Sequence, residues 1–304
     1  MYKLVLEGLS KNFKEKKAVD SLSLSLSHGV YGLLGENGAG KTTLMRMICG
    51  LLQKSSGRIL CDGMEIEKMG SSYRRLLGYL PQDFGYYPDY SAQRFLMYLA
   101  ALKALPDAYA RQRVSELLDL VNLSHVKDQK LKTFSGGMLK RIGIAQALLN
   151  EPKILILDEP TSGLDPKERI RFRNIISSLG KDRIVLLSTH IVSDIEYIAD
   201  HIVMMQKGKM AAYGTVEEIL LPVKQSVWEC QVSQKTSEIL EKNCLISNLK
   251  NAEPGVLLRI VSDTIPAANA VHVPPTLEDA YLYYLSAEQN TDTANTAEQK
   301  GNKA

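Results

Sequence analysis

The stretch Gly35-Glu36-Asn37-Gly38-Ala39-Gly40-Lys41-Thr42 limits this chain more than any other. It follows Gly29-Val30-Tyr31-Gly32-Leu33-Leu34, a run apolar nearly throughout, as in a strand buried on both faces. After it, Leu44, Met47, Ile48 and Leu51 fall at helical spacing, which predicts a helix from Lys41 to about Leu52. A buried strand, a glycine-rich turn and a helix, in that order, make a cradle for phosphate. The glycines let backbone N–H groups curl around phosphate oxygens without a Cβ clash. The helix start adds unpaired donors and a dipole that favours negative charge. Lys41 is placed to reach the β- and γ-phosphates, and the Thr42 hydroxyl to ligate Mg²⁺. Gly35, Asn37, Gly38, Ala39, Gly40, Lys41, Thr42 and Thr43 are therefore the candidate nucleotide contacts. The loop alone suits GTPases and kinases equally well.

The pattern around this loop predicts an α/β domain. Val5 to Leu26 reads as strand, polar turn, strand, with Leu22-Ser23-Leu24-Ser25-Leu26 alternating at period two. Gly57 to Ile66 suggests a short strand pair, and Leu76 to Leu80 a further strand. Residues 91–150 are helical in pattern, with Ser91 as a cap and Pro106 in a first helical turn. Strand patterning returns at Lys153–Leu157, Ile184–Leu187 and His201–Met205. Strands alternating with helices imply a parallel sheet, here interrupted by an all-helical insertion.

After about Leu221 the texture changes to a small α+β appendage. Ser226–Val232 and Gly255–Val261 read as strands, Lys235–Glu241 as a helix, and Thr276 caps a last helix to about Leu285. The expected organisation is a nucleotide-binding domain over residues 1–220, with its helical subdomain at about 84–150. An accessory domain over 221–286 and a polar, disordered tail over 287–304 follow.

Ile154-Leu155-Ile156-Leu157-Asp158-Glu159 is an apolar strand that ends in two carboxylates. Successive strand residues point to opposite sides, so the two acids need different tasks. Asp158 suits Mg²⁺, and Glu159, aimed at the γ-phosphate, suits the polarisation of an attacking water. Phe134-Ser135-Gly136-Gly137-Met138 makes a second anion site at a helix start. A second such site makes sense if two subunits pair head to tail, each capping the other's nucleotide.

Together with Gln82, Ser162-Gly163-Leu164-Asp165 and Ser188-Thr189-His190, these elements resemble the ATP-binding cassette (ABC) nucleotide-binding domains over about residues 2–220. The resemblance implies a P-loop NTPase of the ABC ATPase fold, with a mixed sheet core and ATP and Mg²⁺ as cofactors. It implies that Phe13 stacks on adenine, against the alternative of a turn aromatic packed on the sheet. It implies that Gln82 touches Mg²⁺ and the attacking water and links the core to the helical insertion. Ser135 and Gly137 would reach the γ-phosphate held by the opposite subunit, and Asp165 would line the dimer seam. His190 would contact the γ-phosphate and help position water, the alternative being a histidine merely satisfied at a strand end. Glu159, His190, Gln82 and Lys41 form the expected catalytic set; Thr42, Gln82 and Asp158 form the expected metal set. Met138 departs from the family's usual glutamine, which puts a polar contact in question but spares the serine and glycines.

Phe84-Gly85-Tyr86-Tyr87-Pro88-Asp89-Tyr90 lies where the family receives a helix from its membrane subunit. Rigid aromatics make good anchors, so Tyr86, Tyr87 and Tyr90 are candidates for that groove, with packing inside the insertion as the alternative. Leu277-Glu278-Asp279-Ala280-Tyr281 is similar to the tail of bacterial ABC-2-type exporter ATPases, which favours export. The chain has no run of about 18 apolar residues. The expected setting is therefore the cytoplasmic face of a membrane, bound through a separate permease and paired with a second ATPase subunit. A net charge of +3 is too mild to suggest nucleic acid. Four scattered cysteines read as reduced thiols. No Asn-Lys-x-Asp sequence occurs, which argues against a GTPase. A soluble ABC ATPase acting on ribosomes, DNA or iron–sulfur assembly is the competing reading.

Overall fold

The period-two segments become strands in the computed structural model, which describes residues 2–286. The expected tail at 287–304 lies outside the described residues. The chain forms two compact units, one running to Met210 and one starting at Ala211. The change of sequence texture comes later, near Leu221, because the short elements around residue 210 continue the alternating pattern.

In the first unit, β1 (Leu4–Phe13) and β2 (Lys16–Leu26) pair antiparallel. With β4 (Ser56–Cys61) and β5 (Met64–Glu65) they form a sheet ordered β2–β1–β4–β5. The second sheet is built from β3 (Gly29–Leu34), β6 (Leu77–Leu80), β7 (Ile154–Leu157), β8 (Ile184–Thr189), β9 (His201–Gln206) and β10 (Lys209–Gly214). Its order is β10–β9–β3–β8–β7–β6, and the pairs β9–β3, β3–β8, β8–β7 and β7–β6 are parallel. Every residue of β3, β7 and β8 is buried, as their apolar runs require, and Ser188 and Thr189 at the end of β8 are buried with them.

Alternation decides what each face meets. Ile154 and Ile156, Ile184 and Leu186, and Val203 and Met205 join one core with Leu4, Leu6, Leu22, Leu24 and Leu26 of the antiparallel sheet. Helix α1 (Lys41–Ile48) puts Leu44, Met45, Met47 and Ile48 into that same core. The helix stops at Ile48, short of the expected Leu52. Gly50 takes a left-handed φ of 68° and Leu51 N turns back to Arg46 O, which closes the C-terminus. Leu51 is left exposed. Two short helices, α2 (Ile66–Met69) and α3 (Ser71–Leu76), precede β6 and were not foreseen.

The insertion is helical as expected, with α4 (Ala92–Leu102), α5 (Asp107–Leu120) and α6 (Gly136–Ala147). Ser91 caps α4 by accepting from Arg94 N at 3.2 Å. Helix α7 (Pro166–Leu179) follows β7 and α8 (Val192–Ile195) follows β8.

The second unit contains α9 (Val216–Leu220), β11 (Val227–Val232), α10 (Gln234–Asn243), β12 (Leu245–Asn251), β13 (Val256–Val261) and β14 (Val271–His272). Its sheet runs β12–β13–β11–β14. Strand β12 was missed because its sequence, LISNLKN, is polar and mostly exposed beyond its first half. Cys230, Leu258 and Ile260 form a small core against Leu240 of α10. A helix over residues 277–286 ends the described chain, opened by Thr276.

Asp279 organises this unit. It is fully buried and accepts from Arg259 Nε and Nη2, from Ser247 Oγ, and from Thr276 N and Oγ1. Burial would raise its pKa, but the hydrogen bonds from Arg259, Ser247 and Thr276 outweigh it and hold the carboxyl below its ordinary value. The unfolded chain therefore binds this proton more readily than the folded one. The stability Asp279 contributes is present above the ordinary carboxylate pKa of about 4 and is lost as pH falls through the lower folded value. Asp279→Asn leaves Arg259 without its buried counter-charge and is expected to cost this unit about 3 kcal/mol at neutral pH. The chain's single tryptophan, Trp228, sits on β11. Denaturant melts followed by its fluorescence at pH 7 and pH 3 test both statements, the difference between parent and variant shrinking at the lower pH.

Candidate functional site

The loop between β3 and α1 is shaped by close approach. A Cβ on Gly40, which has φ 106°, would lie 2.2 Å from Ala18 O, and a Cβ on Gly35 would lie 2.4 Å from Met205 O. Gly38 has φ 87° and open space beside it. Lys41 is buried, with Nζ donating to Gly35 O at 2.6 Å and Glu36 O at 3.1 Å. Burial holds its pKa below the ordinary lysine value, opposed by Glu159 and Asp158. The loop thus wraps a partly desolvated ammonium that a phosphate group would complement.

The acidic strand delivers its carboxylates to the same place. Thr42 Oγ1 donates to Asp158 Oδ1 at 3.1 Å, and Ser188 Oγ donates to the same oxygen at 2.7 Å. The other oxygen, Asp158 Oδ2, is buried without a hydrogen-bond partner. An orphaned carboxylate oxygen beside a hydroxyl suits a hard cation such as Mg²⁺. Among the described residues no three of His, Cys, Asp and Glu gather to hold a metal. A cation here would accordingly draw most of its ligands from phosphate and water, with Asp158, Thr42 and Gln82 as its protein contacts.

Glu159 takes a left-handed φ of 47°, a conformation costing a non-glycine residue on the order of 1–2 kcal/mol. Its N–H donates to Ser188 Oγ at 2.9 Å, which fixes the turn. Its carboxylate lies between two groups: Oε2 is 2.9 Å from His190 Nδ1, and Oε1 is 3.7 Å from Lys41 Nζ. A carboxylate accepts, so His190 Nδ1–H donates a hydrogen bond to Glu159 Oε2 and Nε2 remains as the ring's second polar atom. Water brought to this carboxylate would meet a base, an imidazole and an ammonium together.

Phe13, Lys16, Ala18, Asn37, Gly38, Gly40, Lys41, Thr42, Thr43, Gln82 and Glu159 wall one cavity of about 420 Å³. Phe13 stands half exposed at its rim with Lys11 Nζ 5.0 Å from the ring centroid. Asp158 and His190 join through hydrogen bonds to Thr42 and Glu159. Ser188 and Lys16 were missed as site residues. Ser188 had a signal, its place just before Thr189-His190, whereas Lys16 had none beyond following Phe13.

Ser135, Gly137 and Asp165 are not among the walls of this cavity. Ser135 is an exposed N-cap of α6, accepting from Met138 N at 3.2 Å. Asp165 caps α7, accepting from Glu168 N at 2.9 Å. The two helix starts are tied together through Glu168, which lies against Gly137 and pairs with buried Arg141 at 3.0 Å. Met138 supplies its backbone N–H to the cap, which any residue but proline provides. In the helical insertion, Tyr87 packs 5.0 Å from Tyr90 and 5.4 Å from Tyr98, while Tyr86 stacks on Phe84, which in turn meets Phe95. Tyr87 nevertheless stays 48% exposed, so the ring cluster is both packed and presented.

Comparisons with known proteins bear on the family and the fold. The ABC transporter family pattern matches residues 19–162. An uncharacterised ABC transporter ATP-binding protein, YxlF of Bacillus subtilis, is 36% identical over 83% of this chain and 84% of its own length. The linearmycin resistance ATP-binding protein LnrL of the same organism is 36% identical over 71% of this chain and 70% of its own. The structure of cbiO1 from Clostridium perfringens, described as part of the ABC transporter complex cbiONQ, is 30% identical. It superposes with a TM-score of 0.66 over 72% of this chain and 90% of that one.

Two outcomes follow from the loop geometry. Gly40→Ala forces a Cβ into the Ala18 carbonyl and is expected to lower ATP affinity about tenfold or more, read by calorimetric titration. Phosphate beside Lys41 would favour its charged form against the burial that lowers its pKa, so ATP binding is expected to take up protons increasingly as pH rises. The same titrations in buffers of differing ionisation enthalpy, at pH 7 and pH 9.5, will show an uptake that grows with pH.

Proposed function

The chain belongs to the ABC transporter ATP-binding proteins and is an ATP hydrolase of that type; from this premise we propose that it pairs head to tail over two Mg-ATP and drives a separate membrane permease in export. The observation that carries the reading is the position of Ser135: an exposed helix start, held rigidly through Glu168, outside the cavity that contains Lys41 and Glu159. Such a helix start is an anion site that its own chain does not use, and a second copy supplies the anion.

In that arrangement Lys41 and the loop amides hold the β- and γ-phosphates, and Phe13 stacks on the base. When bound, Mg²⁺ supplies charge neutralisation at the phosphate oxygens, held by Thr42, Asp158 and Gln82. Glu159 accepts the proton of the attacking water, and His190 orients that carboxylate through its Nδ1 hydrogen bond and reaches the γ-phosphate. Ser135 and Gly137 of the opposite copy close over the γ-phosphate, and Asp165 lines the seam. The half-exposed Tyr87, with Tyr86 and Tyr90 beside it, receives the permease, which keeps the ATPase at the cytoplasmic face of its membrane. Export is supported by the resistance relative and by the Leu277–Tyr281 sequence. Among the described residues no helix is long and apolar enough to cross a bilayer.

Glu159→Gln tests the motor. It is expected to bind ATP, to hydrolyse it at least about 100-fold more slowly, and to accumulate as a dimer in ATP on size-exclusion chromatography. Turnover near the parent rate sinks the assignment of Glu159. The same variant, used as bait in detergent-solubilised membranes with ATP, is expected to recover a multi-spanning membrane protein. Tyr87→Ala is expected to reduce that recovery severalfold; capture of ribosomes, DNA or a soluble scaffold instead overturns the transport reading.

A further inference from the structure

We propose that Lys140 is a positioning residue for hydrolysis: its side chain holds the Gln82 backbone, and thereby the Gln82 side chain, at the phosphate end of the Lys41 cavity. The inference rests on the role given to Gln82 above.

The contact grows out of a repeated pattern. Strand β6 is an edge strand, pairing with β7 on one side only, so part of its backbone needs other partners. One face of α6 and its extension meets that need. Gln146 Nε2 donates to Tyr79 O at 2.8 Å, and Asn150 Nδ2 donates to Leu77 O at 3.1 Å and to Arg75 O at 2.7 Å. Between these rungs and the start of α6, Gly143 lets Leu80 approach so closely that a Cβ would lie 2.5 Å from it. Lys140 continues the same face, one turn nearer the helix start, and its Nζ donates to Gln82 O at 2.8 Å.

This rung differs from the others in what it grips. Tyr79 and Leu77 sit in a strand that β7 already fixes, whereas residues 81–87 form no helix or strand. Gln82 also walls the cavity with Thr42 and Glu159. The helix behind Lys140 is firmly seated, because Arg141 donates to Val121 O at 2.8 Å and to Asn122 O at 3.2 Å and pairs with Glu168. Lys140 thus ties an irregular loop to a fixed helix at the one residue of that loop facing the site. Burial draws its pKa below the ordinary lysine value, while Asp83, Asp158 and Glu159 oppose the shift, so the ammonium lies within electrostatic reach of both site carboxylates. It further joins the helix that begins at Ser135 to the loop that would contact Mg²⁺ in the proposed function.

Steady-state hydrolysis and ATP-binding titrations of the full chain test this. Lys140→Met is expected to lower kcat about tenfold while ATP affinity stays within about twofold. Lys140→Arg, which keeps a charged donor, is expected to restore kcat to within about threefold of the parent. Gln146→Ala, which breaks a purely structural rung, is expected to lower thermal stability without that split between kcat and affinity. In a Gln82→Ala background, Lys140→Met is expected to add less than about twofold, because the side chain it positions is gone. If Lys140→Met fails to fold, Lys140→Gln carries the same expectation. Parent kcat in Lys140→Met, or a loss undiminished in the Gln82→Ala background, overturns the role of Lys140 while leaving Gln82 in place. Parent turnover in Gln82→Ala alone overturns the reading of Gln82, and this inference with it.

Discussion

Two neighbouring carboxylates, Asp158 and Glu159, are buried at the end of β7 within reach of one buried ammonium, Lys41. Charges withdrawn from water at this density persist only when their partners are fixed. That requirement accounts for much of the surrounding structure. Strand β8 has to lie beside β7 so that Ser188 can serve both acids, donating to Asp158 and accepting from the Glu159 amide. Strand β3 has to lie beside β8 so that the loop after it delivers Lys41 and Thr42. The fully buried parallel strands are the scaffold that brings three charges from two distant parts of the chain to one edge of the sheet.

The sequence was most legible where function imposes several residue types at fixed spacing. The phosphate loop, the acidic strand end and the Ser188-Thr189-His190 step meet at one edge of the sheet. Legibility failed where a partner is remote in sequence and chemically ordinary. Nothing in the composition of α7 announces that Glu168 will brace the start of α6. Nor does the position of Lys16 announce that it will wall the cavity. Helix α1 was drawn too long because Leu51 keeps helical spacing even though Gly50 has already reversed the chain. Strand β12 escaped because an edge strand with an exposed half carries little apolar signal.

The second unit solves the same problem as the first on a smaller scale. Its core is slight, and a single buried acid, Asp279, joins strand β13 through Arg259, strand β12 through Ser247 and the last helix through Thr276. The acidic-then-aromatic string that read in sequence as a family mark is therefore also the fastening of a fold that hydrophobic burial alone would hold weakly.

The close approach of Gly40 to Ala18 has a consequence for the rigidity of the cavity. Ala18 stands on β2 near Phe13, and Gly40 opens α1, while Ala39 O accepts from Gly208 N and Gly208 O accepts from Asp20 N. The strand that follows Phe13 and the glycine-rich loop are thereby locked into one body. Such a body is a ruler with two marks. A ligand that spans both marks would meet a fixed length, because neither mark can shift without the other.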